Sequence, residues 1–509
     1  MRVDTQNIAL TLCALAFAAG AMERPLAVSP VAGVKDPASV SFTWTAVTGA
    51  VSYTLMAAPS PDFAPRYTKT VDAGSATSAT LTGLWPDKEY CWRVVAKDED
   101  GNTGSKSFPA YFRTTPRPDG RKGDGVPRAS LLADGCYADD ILTVDISGDT
   151  FRQRVLADGT EKIYMGHTYT ALSSDRKTVW AMFTSGRDHG DADTGPLART
   201  TDGGRTWTRH DERLPVDFRA THYASPILRS FCKPDGSMRY LVFSRDCRSG
   251  GKLLVTYSDD LCETWQYAPP TSINVGMGPT GWMPLKDGRI ALFGQIPGGK
   301  AVCLSIWMSV SPDGGLTWPE PRIVVPGMKG KRFCEPFCIR SPDGAKLALI
   351  LREQTHAGRS MVAFSSDEGE TWTTPIDTPW GLTGDRHEGT LLSDGRLFIA
   401  FRDRALGSST AGQYVGWVGT WEDLEKCRPG QYRVKLLRHY RDNRRWWSWY
   451  DCGYGGVHEL ADGTILCTTY LKTAPDGRRQ SVVSTYFRIA ETDKICKNMR
   501  RATHYVTDR

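Results

Sequence analysis

Ser365-Ser366-Asp367-Glu368-Gly369-Glu370-Thr371-Trp372 is one copy of a phrase, Ser/Thr-x-Asp-x-Gly-x-Thr-Trp, that punctuates the chain. It also stands intact at Thr200/Asp202/Gly204/Thr206/Trp207 and Ser311/Asp313/Gly315/Thr317/Trp318, and Ser258/Asp260/Cys262/Thr264/Trp265 lacks only the glycine. Successive tryptophans lie 58, 53 and 54 residues apart. A fixed period of that size matches one four-stranded sheet and signals radially repeated blades. The expected fold is all-β, a six-bladed β-propeller preceded by a small β-sandwich.

The phrase is a turn device: Asp accepts backbone N–H bonds across the loop, Gly supplies φ > 0, and Trp tucks under the turn to seal the blade edge. Its aspartates are therefore read as structural. Each unit also carries a hairpin, at Asp235-Gly236, Asp287-Gly288, Asp343-Gly344, Asp394-Gly395 and Asp462-Gly463, with Ser174-Asp175 in the first. Six units result, and the stretch Ile141 to Ile146 is expected to complete the last blade and close the ring.

The chain has 509 residues and a net charge of +6 with acids and bases interspersed. That is too mild a balance to argue for a nucleic-acid partner. Ile8 to Ala21 is apolar, too short to span a bilayer, and ends in the small-residue pattern Ala19-Gly20-Ala21. Residues 1–21 read as a signal peptide, although Arg2 is offset by Asp4, and the protein as secreted or periplasmic. Of thirteen cysteines, the twelve beyond Cys13 are an even number compatible with disulfides after export, with buried thiols the plainer alternative. Cys334 and Cys338 form a close pair without a partner cluster, so no metal site and no cofactor are expected.

Between residues 27 and 115, short alternating stretches such as Ser41-Phe42-Thr43-Trp44 and Glu89-Tyr90-Cys91-Trp92-Arg93-Val94 read as strands. Trp44 with Leu84-x-Pro86-x-x-x-Tyr90-x-Trp92 resembles a fibronectin type III sandwich. A linker over 116–130, the propeller over 131–495 and a tail over 496–509 complete the division.

In a propeller the innermost strands start around the axis, so residues ahead of them converge. In blade order these are His167 and Tyr169, His222 and Tyr223, Gly278 to Thr280, Glu335, Arg386 to Glu388, and Tyr454. The second strands end at Thr184, Arg245, Gln295, Arg352, Arg402 and Tyr470. Arg352 and Arg402 follow apolar runs, where a charge needs a partner. Guanidiniums aimed at one cavity would clamp a substrate carboxylate, unless each pairs with a local acid, Glu353 and Asp403 being adjacent.

The Asp-boxes, Glu335-Pro336 followed 17 residues later by Arg352, and Tyr454-Gly-Gly-Val-x-Glu-Leu-x-Asp462-Gly463 together resemble the bacterial exo-sialidases, over roughly 155–489. The resemblance implies Tyr454 as nucleophile and Glu335 as its assisting base. An anionic sugar repels a carboxylate nucleophile, whereas a neutral phenol can attack. It also implies an aspartate general acid on a loop after the first blade's second strand. In Ser185-Gly-Arg187-Asp-His-Gly-Asp191-Ala-Asp193 that is Asp193 first and Asp191 second, with Asp385 or Glu388 behind them.

One departure stands out. The family's Arg-Ile-Pro phrase is replaced by Gly166-His167-Thr168-Tyr169-Thr170, so its first carboxylate-binding arginine is missing. Arg245 or Arg386 would have to substitute, and Gln413 competes with Arg402 for the third arginine position. Arg187, His167, Arg386 and Glu388 complete the expected substrate-binding set.

The leading expectation is an exo-α-sialidase acting on sialylated glycans or mucin-type glycoproteins. Its enzymatic alternatives are a glycosidase for another acidic sugar, or one using direct water attack with His387 or Glu388 as base. The non-catalytic alternative is a carbohydrate-binding propeller. The aromatic run Arg445-Trp-Trp-Ser-Trp-Tyr450 is either a sugar-stacking rim or packing under a loop.

Overall fold

The computed structural model describes residues 22–30, 34–59, 63, 68–84, 89–104, 106–107, 110–115, 141–189, 191–276, 278–296, 304–356, 358–405, 408, 410–440, 451–474 and 477–507. The signal segment 1–21, the linker 116–130 and the aromatic run 445–450 lie outside the described residues. Toward the N-terminus a three-stranded and a five-stranded sheet enclose a core of Phe42, Trp44, Tyr53, Trp92 and Phe112. Ser39–Trp44, Ser52–Ala58, Ser78–Thr82 and Glu89–Lys97 supply strands there, following the apolar/polar alternation.

Six further sheets, of four or five strands, follow in chain order. Their first strands are Tyr164–Leu172, His222–Cys232, Gly281–Pro284, Phe333–Arg340, Gly384–Leu391 and Gly455–Glu459. The first of these touches both the second and the sixth, and the third to sixth touch in succession, which brings the ends of the array together around one axis. That is the arrangement of a β-propeller. Apolar side chains fill the spaces between sheets, as where Ala291, Phe293 and Met308 of the third meet Leu347 and Leu349 of the fourth. Phe398 and Tyr414 of the fifth likewise meet Ile465 and Val483 of the sixth.

The Asp-boxes are outer turns, and their four copies share one hydrogen-bond scheme. Thr206, Thr264, Thr317 and Thr371 each donate backbone N–H to the box aspartate's Oδ1, all at 2.9 Å. Gly204, Gly315 and Gly369 take φ of 84°, 92° and 89°, and Cys262 takes the same region at 64° despite its Cβ.

The ring closes differently from the sequence expectation. Thr143–Asp145 pairs in parallel with Tyr432–Leu437 of the fifth sheet, Val144 opposite Val434. The strand completing the sixth sheet is Gln153–Ala157, antiparallel to Ser481–Arg488. Val144 and Ile146 are wholly apolar-facing and join the core between the fifth and sixth sheets, whereas the closing strand is an edge strand with Val155 half exposed. Its weak apolar pattern concealed it. The helix Ile489–Thr507 runs across position 496, where a tail was expected to begin, and is tied back by Arg396–Asp493 at 2.9 Å and Arg152–Glu491 at 2.6 Å.

Candidate active site

At the axial start of four first strands the register slips: between Gly166 and Tyr169, Tyr223 and Ile227, Cys334 and Phe337, and Asp385 and Glu388. Such bulges re-aim side chains. Within three of them sits a non-glycine residue with left-handed backbone: His167 at φ 43°, Glu335 at 46° and Arg386 at 59°. A strained conformation recurring at equivalent places is kept where it positions function. All three side chains are buried.

Glu335 is the hub. Its Oε1 accepts a short hydrogen bond from the Tyr454 hydroxyl, its Oε2 accepts from Arg352 Nη1 at 2.6 Å, and its backbone N–H meets Gln295 Oε1 at 3.4 Å. Burial would push its carboxyl up, but the Arg352 and Arg386 charges and the Tyr454 hydrogen bond hold it below the usual range. Tyr454 goes the other way: burial and the Glu335 charge push its phenol well up, against the pull of Arg352 and Arg402. The resting pair is thus a carboxylate and a neutral phenol whose proton already points at its acceptor.

Arg352 and Arg402 enter the site, but not as an empty clamp. Arg402 donates from Nε and Nη2 to Asp385 Oδ2 at 3.1 and 2.8 Å and from Nη1 to the Cys452 carbonyl at 3.0 Å. Arg352 Nε lies 3.0 Å from Asp385 Oδ1, and His356 Nε2 lies 2.8 Å from the same oxygen. The acids they pair with are Glu335 and Asp385, at the axial starts of the fourth and fifth sheets' first strands, Asp385 lying opposite Arg402 in the ladder, rather than the sequence-adjacent Glu353 and Asp403. Burial opposes ionisation of Asp385, yet Arg352, Arg402 and His356 hold its carboxyl well below its usual range. Asp385 is therefore an anchor for the arginines and not a proton donor.

Arg386 is fully buried, 3.0 Å from Glu388 Oε1, with its guanidinium over the faces of Tyr169 and Tyr454 at 5.0 and 5.6 Å. Glu388 also receives Arg229, at 2.7 Å, and so points down the axis toward a cavity of about 370 Å³ lined among others by Thr170, Arg229 and His458. Both Glu388 and His387 fail as a water-activating base. Glu388 is held by two arginines, and His387 lies against Phe401 with Nε2 2.9 Å from the Leu382 carbonyl. Burial drops His387 to about 4.

Three further expected contributors have the following surroundings among the described residues. Arg245 lies with its guanidinium 5.7 Å from the Tyr223 ring centre, Arg187 is exposed, and Gln413 spends its amide on the backbone of His439. The segment carrying Asp191 and Asp193 is not an open loop but the arm of a hairpin, Val179–Asp188 with Asp191–Thr200, paired out to Asp188 and Asp191; the two aspartate side chains lie outside the described residues. Cys334 and Cys338 are buried thiols, pushed up by burial.

Sequence reasoning missed a second cluster beside Tyr454. Asp451 Oδ1 accepts from Tyr470 at 2.8 Å and from Tyr164 at 3.3 Å, and lies 2.7 Å from His189 Nδ1. His189 Nε2 is 3.3 Å from His167 Nε2, and the His167 ring stands edge-on to Tyr454 with centres 5.1 Å apart. The only available signal was position, Asp451 preceding Tyr454 by three residues in the same axial approach.

Residues 285–448 match the BNR repeat-like domain family. The matched span takes in the last two Asp-boxes, Glu335, Arg352, Asp385 and Arg402. No curated protein matches the chain. Among solved structures, an α-L-arabinofuranosidase of Fusarium graminearum is 11% identical with a TM-score of 0.50, over 67% of this chain and 98% of that one. A Dyadobacter fermentans protein of unknown function is 17% identical, TM-score 0.49, over 66% and 98%. A Trypanosoma rangeli sialidase is 16% identical, TM-score 0.43, over 66% and 57%. The Fusarium likeness is one of fold.

Proposed function

We propose that this protein is an exported six-bladed propeller glycoside hydrolase, with a fibronectin type III-like module ahead of it, that releases terminal sialic acids from glycans or glycoproteins with retention of configuration. The observation carrying this reading is the buried hydrogen bond from Tyr454 to Glu335 amid arginines. A phenol beside a carboxylate base is a nucleophile suited to an anomeric carbon that bears a carboxylate. Tyr454 would attack that carbon as Glu335 takes its proton; water would then cleave the tyrosyl ether and Glu335 would return the proton. The proton donor to the leaving oxygen would come from the hairpin that carries His189, Asp191 and Asp193.

Charge supports an acidic sugar. Among the described residues Glu335, Asp385 and Glu388 are paired with Arg229, Arg352, Arg386, Arg402 and Arg404, a concentration of guanidiniums around a largely desolvated site. One observation favours a second reading, a glycosidase for a neutral sugar: Asp385 already occupies the space between Arg352 and Arg402, where a substrate carboxylate would otherwise bind.

The test is a panel of sialyl, uronosyl and arabinofuranosyl glycosides, with the anomer of the first product followed by NMR. Release of sialic acid as the α-anomer supports the reading. Turnover of neutral glycosides alone moves the assignment to the second reading, and a protein inert on the whole panel overturns both.

A further inference from the structure

The Asp451–His189–His167 cluster is not used by the tyrosine and glutamate, yet it adjoins them. His189 follows directly on Asp188 in the turn of the Val179–Thr200 hairpin, whose strands pair to Asp188 and Asp191. Its side chain is 37% exposed while the Asp451 side chain it contacts is 2% exposed. One imidazole nitrogen is thus anchored on a buried carboxylate, and the other faces His167, whose ring stands against Tyr454.

We propose that His189, oriented by Asp451, is the proton donor to the leaving glycosidic oxygen. This rests on the reading of the protein as a tyrosine-dependent glycosidase. His189 Nδ1–H is committed to Asp451 Oδ1 at 2.7 Å, which leaves Nε2–H as the transferable proton, parked at rest against His167 Nε2 at 3.3 Å. His167 in turn offers Nδ1 to Thr184 Oγ1 at 3.3 Å, the tautomer that makes its Nε2 an acceptor. In the first step Tyr454 Oη bonds to the anomeric carbon, the bond from that carbon to the aglycone oxygen breaks, Nε2–H of His189 passes to that oxygen, and the Tyr454 proton passes to Glu335. In the second, water attacks, His189 Nε2 takes its proton, the tyrosyl C–O bond breaks and Glu335 reprotonates Tyr454. The steps balance without a co-reactant.

The groups facing His189 favour its charged form. Burial works against it, but the Asp451 charge and hydrogen bond, with Glu335 farther off, outweigh that and the opposing Arg402, so His189 is raised above the ordinary histidine value. His167 is the reverse, pushed well down by burial and by His189, and stays neutral. Tyr164, with its hydroxyl 3.3 Å from His189 Nδ1, also faces the ring.

The experiment compares wild type, His189→Gln, Asp193→Ala and Asp191→Ala on a natural glycoside and on an aryl glycoside with an acidic leaving group. The chain's nine histidines, ¹⁵N-labelled, are titrated by NMR in wild type and Asp451→Asn, with the His189 signal assigned by its loss in His189→Gln. His189→Gln is expected to lose at least ~100-fold on the natural substrate and under ~10-fold on the activated one, since a general acid matters most for poor leaving groups. Both aspartate variants are expected to keep the wild-type ratio. In wild type, His189 is expected to hold its proton above about pH 6.5, the ordinary histidine value, and Asp451→Asn to lower that pKa and the basic limb of kcat/KM together. Added imidazole is expected to restore part of the activity of His189→Ala. Equal losses on both substrates, a selective loss in Asp193→Ala instead, or a titration indifferent to Asp451 overturns the donor role alone. A wild type inert on every glycoside, with Tyr454→Phe no different, overturns the enzymatic reading and the donor role together.

Discussion

Asp385 Oδ2 accepts from both Nε and Nη2 of Arg402, at 3.1 and 2.8 Å, inside a site where the two side chains are 1% and 8% exposed. With Arg352 on its other oxygen, Asp385 compensates two buried guanidiniums. Asp385→Asn should destabilise the protein by about 3–5 kcal/mol, the cost of stranding one side of a buried pair. Adding Arg402→Ala should cost less than the sum of the two single changes, because the pair is then removed as a unit. Urea unfolding of the three variants measures both terms; simple additivity would show that the contact is not energetically coupled.

Tyr454→Phe removes the hydroxyl that donates to Glu335 while keeping the ring against His167 and Tyr470. Turnover should fall at least ~100-fold, the scale of deleting a principal catalytic group. Melting temperature and near-UV circular dichroism should show a retained fold. Near-normal turnover of a natural glycan would remove Tyr454 from the mechanism.

Arg352 reaches both Glu335 and Asp385, so its loss will hurt any substrate. Discrimination lies in a ratio. If Arg352 also meets a substrate carboxylate, Arg352→Ala should weaken binding of a sialoside by about 2–5 kcal/mol and that of the carboxyl-reduced sialoside by distinctly less. Calorimetry on the two ligands decides, and equal losses assign Arg352 to the scaffold.

His222 and His387 are buried, and burial lowers both to about 4. In the unfolded chain they take protons near pH 6.5, so between those values the unfolded state binds more protons and stability falls as pH falls. The slope is at most about 1.4 kcal/mol per pH unit for each. The depressed carboxyls of Asp385, Glu335 and Asp451 contribute stability that is present above their unfolded values and lost below about pH 4. His189, being raised, contributes in the opposite sense and loses its contribution as pH rises. Urea midpoints from pH 7 to 4.5 should decline, and the decline should lessen in His387→Phe; a flat profile would contradict neutral burial.

Asp202 accepts from the backbone N–H groups of Arg205 and Thr206 and from the hydroxyls of Thr206 and Thr200. Asp202→Ala should cost about 1–3 kcal/mol of stability, as expected for turn donors left unsatisfied. Below the melting transition kcat should be unchanged, because the box is an outer turn. A large loss of kcat at full folding would mean that the box reaches the site.

The Asp-boxes and Asp-Gly hairpins were legible because each is a local device, closed within a few residues by hydrogen bonds that require those residue types. Once their period fixed the repeat, the axial convergence of His167, Glu335, Arg386 and Tyr454 followed from geometry alone. The closing strand was not legible in the same way. Gln153–Ala157 and Thr143–Asp145 are both short, and which joins the sixth sheet depends on what each packs against more than 300 residues away in the one case and 290 in the other.

By itself, then, the sequence determined the repeat, the all-β character and the set of polar residues brought to the axis. Only the tertiary structure decided how those residues are paired. Arg352 and Arg402 look like an open carboxylate clamp until Asp385 is placed between them, and the stacking of Arg386 over Tyr454 is visible only in three dimensions. The physical reason is that a buried charge takes whichever partner the fold brings within about 3 Å. At the axis some of those partners come from different sheets, as Arg352 and Asp385 do and as Asp451 and His189 do, 262 residues apart, a distance over which spacing along the chain carries no information.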